Sequence, residues 1–539
     1  MTTRKLFFGD NLEIMREHVA DESVDLVYLD PPFNSNQSYN VLFKERDTRP
    51  SQAQIEAFDD TWHWTPETQH QFELLMTDPN VPREVAKGLD AFRIMLGEND
   101  VMAYLVMMAP RLLEIRRTLK PTGWMVLHCD QAAAHYLKVI SDQVFDPKNF
   151  RNDVVWKRKA GRGETNRQAV RFGVSHDNLL FYAKTSSSVF ERQVRPNNPE
   201  YIASKFTHDD GDGRIYRLDN ITSPSFRKNL VYEYKGYKPP PNGWAVSVDR
   251  MKEMEAEGRL YFPDDASRRI QRKRYLDELE GETVDTLWDD IPPINSQAKE
   301  RLGFPTQKPL SLLQRIIKAT TSDDAMVLDP FCGCGTTIAA AEASARSWIG
   351  IDITYLAIAL IEQRLNDAHP GITYEVHGVP KDMDGAKALF VKSSKNFEMW
   401  AVRQIGGRPQ PKMGGDEGID GVIRFYIDGR DWGTVLVSVK GGDSLNPSMV
   451  RDLVGTVRKD RAEMGILITR AKPTEGMYKT AIKDGSYKWP GTGQDYPRIQ
   501  IVTVDDLLAG RRPQMPPIHG TYAEAPRAVK GQGEQLELG

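Results

Sequence analysis

The stretch Asp30-Pro31-Pro32-Phe33 combines residue types that could bind an amino group. It directly follows the apolar run 24–29, which places it at the end of a candidate buried strand. The two prolines leave carbonyls free to accept hydrogen bonds, Asp30 adds a carboxylate, and Phe33 adds an aromatic face. Such a set could accept both protons of an amine on a flat ring and direct the nitrogen lone pair at an electrophilic methyl group. A simple proline turn is the alternative interpretation.

A second stretch, 329–336, has the residues of a cofactor loop: Asp-Pro-Phe-Cys-Gly-Cys-Gly-Thr between an apolar run and an alanine-rich segment. Its glycines let the backbone approach a ligand at a helix N-terminus, and Asp352, at the tip of the next strand, could bind ribose hydroxyls. A dinucleotide fingerprint would need glycine where Ile338 stands, and there is no Gly-Lys-Thr phosphate loop. A ligand-free turn is the alternative. Cys332 and Cys334 lack further cysteine partners at zinc spacing, so we expect them to pack as small residues.

The surrounding pattern alternates strands and helices, as α/β units do. We predict strands at 6–8, 24–29, 124–128, 178–183, 325–328 and 348–351, and helices at 101–119, 310–319 and 336–344. Residues 47–99 form a polar, weakly helical insertion. Residues 185–295 are irregular, with three consecutive prolines and a basic run at 268–274, and indicate a separate module.

Together, the two stretches resemble the amino-group DNA methyltransferases that use S-adenosylmethionine. The resemblance covers roughly residues 5–364 and implies a Rossmann-like α/β fold with an inserted target recognition module. The order is that of the β group of the family: catalytic motif, recognition region, cofactor loop. The catalytic residues it implies are Asp30, Pro31, Pro32 and Phe33, and the cofactor residues are Asp10, Thr306, Gln307, Lys308, Pro309, Asp329, Phe331, Gly333, Gly335, Thr336 and Asp352.

In this family, aspartate at the first catalytic position is associated mainly with adenine and serine with cytosine. The resemblance therefore favours methylation of adenine N6 in double-stranded DNA, with Phe33 stacking on the flipped base. Cytosine N4 is the alternative target. Methylation of cytosine carbon 5 would need a cysteine nucleophile, which in that family follows a proline, and no cysteine here follows one.

Contacts to DNA must be local, because 71 lysines and arginines against 75 aspartates and glutamates give a net charge of −4. The strongest candidate is the basic run, and the segments Trp156-Lys157-Arg158 and His176-Asp177-Asn178 resemble the family's neighbours of the target base pocket. The DNA-binding residues we predict are Lys157, Arg158, Arg268, Arg269, Arg272, Lys273 and Arg274. A solvated surface balanced by nearby acidic residues is the alternative for the run.

The segment 396–508 resembles the Mrr-like restriction endonuclease domain, an α/β fold of the PD-(D/E)xK group. The resemblance implies that Asp420 binds Mg²⁺ and that Lys440 activates water. Ser438 stands where a glutamate, aspartate or glutamine is expected, and Glu398, Asp416 or Glu417 could compensate. Active cleavage and a fold retained only for contacts are both open. A DNA-cleaving protein whose cofactor site is regulatory is thus the rival function.

We expect six regions: the catalytic half (1–184), the recognition module (185–295), the cofactor-binding half (296–378), a linker (379–395), the endonuclease-like domain (396–510) and a disordered tail (511–539). Residues 535–538 (Gln-Leu-Glu-Leu) resemble sliding-clamp peptides without the terminal aromatic, and the two interpretations are contact with a sliding clamp and a chance match. The sequence leaves open whether the protein forms a homodimer. Three cysteines, no apolar signal core and no long apolar run predict a cytoplasmic protein without disulfides or membrane spans.

Overall fold

The computed structural model describes residues 2–32, 38–42, 54–59, 63–131, 133–158, 172–295, 298, 300–302, 304, 306–410, 418–428 and 431–517. The chain divides into two compact units. One comprises Met1–Glu191 with Thr286–Gly539, and the other comprises Arg192–Asp285. Phe33, Asp416, Glu417 and the tail peptide at 535–538 lie outside the described residues.

The described strands, in chain order, are β1 (Arg4–Phe8), β2 (Val24–Leu29), β3 (Ser38–Leu42), β4 (Gln54–Asp59), β5 (Leu119–Cys129), β6 (Phe150–Lys157), β7 (His176–Ala183), β8 (Val194–Arg195), β9 (His208–Asp209), β10 (Ile215–Asn220), β11 (Leu260–Tyr261), β12 (Gln271–Tyr275), β13 (Glu282–Thr283), β14 (Leu287–Trp288), β15 (Met326–Asp329), β16 (Ser347–Asp352), β17 (Glu375–His377), β18 (Arg408–Pro409), β19 (Gly421–Asp428), β20 (Asp431–Lys440), β21 (Met464–Thr469), β22 (Ser486–Lys488), β23 (Asp495–Pro497) and β24 (Ile499–Thr503).

The described helices are α1 (Asn11–His18), α2 (Pro66–Thr77), α3 (Arg83–Leu96), α4 (Asp100–Thr118), α5 (Ala134–Phe145), α6 (Pro199–Lys205), α7 (Val248–Ala256), α8 (Leu310–Thr320), α9 (Thr336–Ala343), α10 (Tyr355–Ala368), α11 (Met383–Lys392), α12 (Ser394–Gln404), α13 (Pro447–Lys459), α14 (Glu475–Ile482) and α15 (Val504–Leu508). None of them is long and apolar enough to cross a membrane.

The larger unit is built on a mixed sheet in the order β14-β6-β7-β5-β2-β15-β16-β1-β17. The central strand β2 pairs in parallel with β5 on one side and β15 on the other, whereas β7 runs antiparallel to both β5 and β6. The α/β architecture that the sequence predicts is therefore confirmed. Because β2 and β15 are adjacent and parallel, the residues that follow both strands emerge at the same edge of the sheet.

Burial explains why the central strands form. Five of the six β2 side chains are buried, and the exception, Asp25, accepts hydrogen bonds from the Lys120 ammonium (2.7 Å) and the Met326 amide (2.8 Å). The long helix α4 begins where the Asn99 side chain accepts from the Met102 amide at 2.9 Å. Its buried side chains extend around most of the helix, so α4 is a core element of this unit.

The smaller unit contains a sheet in the order β11-β12-β10-β9. A core that includes Trp244, Met251, Met254 and Ile270 supports it. The basic run forms the approach to β12 and the strand itself, which pairs antiparallel with β10. A short second ladder joins β8 and β13 near the ends of the unit.

The C-terminal part has a sheet in the order β18-β19-β20-β21-β24, antiparallel in its first half and parallel in its second. Helices α13 and α14 pack on it through a core that includes Val450, Leu453 and Met477. The segment 379–395, expected as a linker, contains α11 instead. Its side chain Phe390 packs edge-on against Phe397 of α12, so part of this segment is integral to the fold.

Candidate active site

One cavity lies where the ends of β2, β15 and β16 meet. Of the residues predicted for the catalytic and cofactor sites, it is lined by Asp10, Asp30, Pro31, Pro32, Thr306, Gln307, Lys308, Asp329, Phe331, Gly333, Thr336 and Asp352. Pro309 and Gly335 do not line it. Pro309 precedes α8, and Gly335 precedes α9 with a left-handed backbone (φ +74°). The cavity thus brings together residues that lie far apart in the sequence, from Asp10 to Asp352.

Asp30 is poised to accept hydrogen bonds. The Lys308 ammonium donates to its Oδ2. Its Oδ1 is buried and, within the described part of the chain, has no hydrogen-bond partner. A buried carboxylate oxygen without a donor costs free energy, so such an atom beside a cavity is suited to a ligand N–H.

The cofactor loop is held by a carboxylate on the neighbouring strand. The Gly333 amide donates to Asp352 Oδ2 at 2.9 Å, and the Thr354 amide and hydroxyl donate to Oδ1 at 2.8 and 2.7 Å. Burial raises the pKa of Asp352, although these hydrogen bonds act to lower it. A Cβ on Gly335 would lie 2.6 Å from Cγ1 of Ile361, so only glycine fits this turn.

Asp329, which also lines the cavity, has a strongly raised pKa. Burial raises its pKa to about 7, although the Thr337 hydroxyl and the Phe331 amide donate to it, and the charge of Asp30 adds to the increase. The amide contact is 3.0 Å. Two carboxylates that converge in one buried place favour a cationic ligand or the protonated form of one of them.

Asp10 has structural partners that the sequence did not reveal. Its Oδ1 caps α1 by accepting from the Leu12 amide at 2.8 Å, and its Oδ2 pairs with Arg111 of α4 at 2.9 Å. Arg111 also donates to Asn11 at 2.6 Å, and Asn11 donates to the Pro330 carbonyl at 2.7 Å. Arg111 and Asn11 line the cavity and were missed, because their approach depends on how α1 and α4 pack.

Gln307 has a supporting position. Its side chain donates to the Glu300 carbonyl at 2.5 Å and accepts from the Leu302 amide at 2.8 Å, which fixes the chain before α8. Cys332 and Cys334 are buried thiols whose pKa values are raised by burial, in keeping with a packing role. No group of three or more metal-binding side chains occurs among the residues with described positions.

The predicted DNA-binding residues differ in their availability. In the larger unit, Lys157 is exposed, whereas Arg158 lies 3.1 Å from the buried Asp177. In the smaller unit, Arg272 and Arg274 both pair with Asp219, at 3.5 and 2.6 Å.

The rest of the basic run is arranged differently. Lys273 lies over the Tyr216 ring. Arg268 and Arg269 have exposed side chains. The basic run is therefore partly neutralised by the unit's own acidic residue and partly open.

A second cavity lies in the C-terminal part and is lined by Glu398, Asp420 and Lys440, with Gly418 and the backbone after β20. Ser438 does not line it. Its hydroxyl donates to the Gly418 carbonyl at 2.7 Å, and Asp420 Oδ2 accepts from the Val439 amide at 2.7 Å. The structure thus gathers three of the four predicted nuclease residues and directs the serine elsewhere.

Comparisons with known proteins agree with this layout. Residues 24–363 match the profile of a family described as DNA methylase, of the N6 and N4 methyltransferase type. Residues 393–509 match a profile described as NACHT-associated inactive Restriction Endonuclease 1. The restriction-endonuclease resemblance of this segment is confirmed at that coarser level, while the Mrr-like assignment and cleavage stay predictions.

Individual relatives are distant. The type II methyltransferase M.EcaI of Enterobacter cloacae is 27% identical over 264 residues, which cover 49% of this chain and 57% of that protein. The Mod subunit of the type III restriction-modification enzyme StyLTI of Salmonella typhimurium is 28% identical over 348 residues, 61% of this chain and 48% of that protein. The solved PvuII DNA methyltransferase (cytosine-N4-specific) is 14% identical, with a TM-score of 0.33, over 70% of this chain and 95% of that one. The chain spans about half the length of the curated relatives.

Proposed function

Because the chain belongs to the DNA methylase family, we propose that it transfers a methyl group from S-adenosylmethionine to an exocyclic amino group of a base in double-stranded DNA. One observation carries this proposal. Asp30, whose buried Oδ1 has no hydrogen-bond partner among the described residues, lines the same cavity as the glycine turn at Gly333. A target amine and a methyl donor could therefore meet in one site.

The lining residues fit S-adenosylmethionine. Asp352 is a carboxylate at the strand end where a ribose would bind, Gly333 allows close approach to the backbone, and Phe331 offers an apolar face. When bound, the cofactor supplies the electrophilic methyl group. Asp30 and the Pro31 carbonyl would accept hydrogen bonds from the amine and Phe33 would stack on the flipped base, as the family resemblance implies.

Adenine N6 is the target we favour. This choice rests on Asp30 at the first catalytic position, which in the resembling family is associated mainly with adenine. Cytosine N4 is the alternative, since its amine presents the same two protons. Arg268 and Arg269 are our candidates for phosphate contacts, because they are exposed members of the basic run.

The test is to incubate unmethylated plasmid with the full-length protein and S-adenosylmethionine, and to read modified positions by long-read sequencing. We expect methyladenine at a recurring sequence, lost in Asp30→Ala and retained in Asp323→Ala, which removes a carboxylate that is 94% exposed. Hydrolysis of the product DNA to nucleosides identifies the base. Unchanged methylation by Asp30→Ala would reject the assigned site.

Metal-dependent DNA cleavage is the second candidate function, and the convergence of Glu398, Asp420 and Lys440 in one cavity favours it. Ser438 weighs against it, because a neutral hydroxyl stands where an acidic metal ligand is expected and Ser438 does not line the cavity. Cleavage of unmethylated plasmid in Mg²⁺ that disappears in Lys440→Ala would establish this function. No cleavage with the wild-type protein would leave the C-terminal part a role in contacts.

A further inference from the structure

A buried hydrogen-bonded chain leads away from the active-site cavity. Tyr28 is one of the residues that line the cavity, and its hydroxyl contacts His128 Nδ1 at 2.8 Å. His128 Nε2 lies 3.2 Å from Asp177 Oδ2. Tyr28 is 2% exposed, His128 0% and Asp177 1%, so bulk water does not compete for these contacts.

Three neighbouring strands build this chain. Tyr28 is on β2, His128 on β5 and Asp177 on β7, and β5 lies between the other two in the sheet. Tyr28 precedes Asp30 by two positions, so both side chains project from the same face of β2 and its extension. Tyr28 therefore lies on the same side of the strand end as Asp30, the proposed acceptor for the target amine.

The charge of Asp177 sets the direction of the hydrogen bonds. Burial acts to raise the pKa of Asp177, but the hydrogen bond from His128 and the nearby Lys308 and Arg158 favour the ionised carboxylate, and the pKa is lowered. An ionised carboxylate only accepts, so His128 Nε2 donates to it and Nδ1 is left as an acceptor. The Tyr28 hydroxyl therefore donates to Nδ1, and its oxygen lone pairs remain available on the side of the hydroxyl away from His128.

We propose that Tyr28, His128 and Asp177 form a proton relay that receives the proton released by the target amine. This inference rests on the proposed methyltransferase function and assigns it residues that the known motif does not contain. An amine that gains a methyl group must lose a proton, and the hydrogen bond from Tyr28 to His128 offers that proton a route from the cavity to a buried imidazole.

The step balances as follows. The amine lone pair forms the new nitrogen–carbon bond while the methyl–sulfur bond breaks and its electrons stay on sulfur. The nitrogen, now positively charged, gives one proton to the Tyr28 oxygen as the tyrosine's own proton moves to His128 Nδ1. The resulting imidazolium is stabilised by the Asp177 carboxylate, and after product release its proton returns through the Tyr28 hydroxyl to water in the cavity.

Substitutions at His128 and Tyr28 separate a relay from a purely structural network. His128→Gln can still accept from Tyr28 and donate to Asp177, but it cannot carry a proton. Tyr28→Phe keeps the ring and removes the hydroxyl. Tyr182→Phe is the matched control, because Tyr182 is also a buried tyrosine whose hydroxyl donates to a carboxylate, that of Asp142 at 2.7 Å.

The measurement is the single-turnover methylation rate at saturating DNA and cofactor, with the dissociation constants of S-adenosylmethionine and DNA measured separately. We expect His128→Gln and Tyr28→Phe each to lower the rate at least ~10-fold with both constants within about 2-fold of wild type. The double variant should be no slower than the slower single variant, since both break one chain. Tyr182→Phe should methylate at the wild-type rate.

A spectroscopic readout does not depend on activity. In protein labelled with ¹⁵N-histidine and free of cofactor, the signal absent from His128→Gln should report a proton on Nε2 and none on Nδ1. A wild-type rate in His128→Gln, additive losses in the double variant, or a proton on Nδ1 would each overturn the relay. If the wild-type protein does not methylate DNA, the proposed function fails with it. If it does and the variants match it, only the relay fails.

Discussion

Replacing Asp329 by asparagine should stabilise the protein, and more so as the pH rises. Burial raises the pKa of this carboxyl from 3.8 to about 7 in the folded protein. Below pH 3.8 the carboxyl is protonated in both the folded and the unfolded state, so it does not make the free energy of unfolding depend on pH. Between 3.8 and 7 the unfolded state ionises first, so the folded state holds more protons and stability falls as pH rises. Above 7 both states are ionised and the penalty is constant.

The size of the effect follows from the pKa difference. A change of 7 − 3.8 units at 1.36 kcal/mol each gives about 4 kcal/mol of destabilisation at high pH. Between pH 5 and 8 the penalty should grow by about 3 kcal/mol, because about two of these units lie in that interval. Asparagine carries no charge, so Asp329→Asn avoids this penalty while its oxygen can still accept from the Phe331 amide.

The assay is thermal unfolding of the full-length wild type and variant from pH 5 to pH 8, comparing the difference in Tm at each pH. Other titrating groups are shared and cancel in that difference. We expect the variant's advantage to rise by roughly 3 °C across the range and then level off, because the unfolding entropy of a chain this long makes each kcal/mol a small Tm shift. Asp323→Asn, at an exposed site before the same strand, should give a flat difference. A flat difference for Asp329→Asn would refute the reasoning.

Three further outcomes test the site and the basic run. Gly335→Ala should weaken S-adenosylmethionine binding in calorimetry, since the added methyl would meet Ile361 at 2.6 Å and the turn requires φ +74°. Arg111→Met should lower the free energy of unfolding by about 2 kcal/mol in urea titrations, because Asp10 and Asn11 both lose the guanidinium group that donates hydrogen bonds to them. Arg268→Ser combined with Arg269→Ser should reduce the slope of log Kd for DNA against log salt concentration by about 2, and an unchanged slope would exclude phosphate contacts there.

The local parts of the site were predictable from sequence. The stretch 24–32 reads as a buried strand ended by two prolines, and the stretch 327–336 reads as strand, glycine turn and helix, so both motifs could be placed at strand ends. The structure has β2 at the predicted residues and α4 within one residue of its predicted bounds at each end. Such patterns are local, because a few consecutive residues decide them.

The residues that were missed depend on long-range pairing. His128 meets Tyr28 and Asp177 only because β5 is inserted between β2 and β7, and nothing in the sequence around position 128 specifies that strand order. The same holds for Arg111, which reaches Asp10 across the packing of two helices. The β6 strand was also missed, since its alternation of exposed and buried residues is irregular. Pairing of Arg272 and Arg274 with Asp219 likewise needed the antiparallel register of β10 and β12.

The charges around the cavity explain why these features occur together. Acidic side chains outnumber basic ones in its lining: Asp10, Asp30, Asp329 and Asp352 against Arg111 and Lys308. Arg111 and Lys308 each neutralise one aspartate directly, which leaves Asp329 and Asp352 with neutral donors and raised pKa values. A ligand that carries positive charge would gain from both, because it lowers the cost of ionising them. A sulfonium cofactor with an ammonium group has that charge, so the same burial that destabilises the folded protein at neutral pH favours the proposed cofactor.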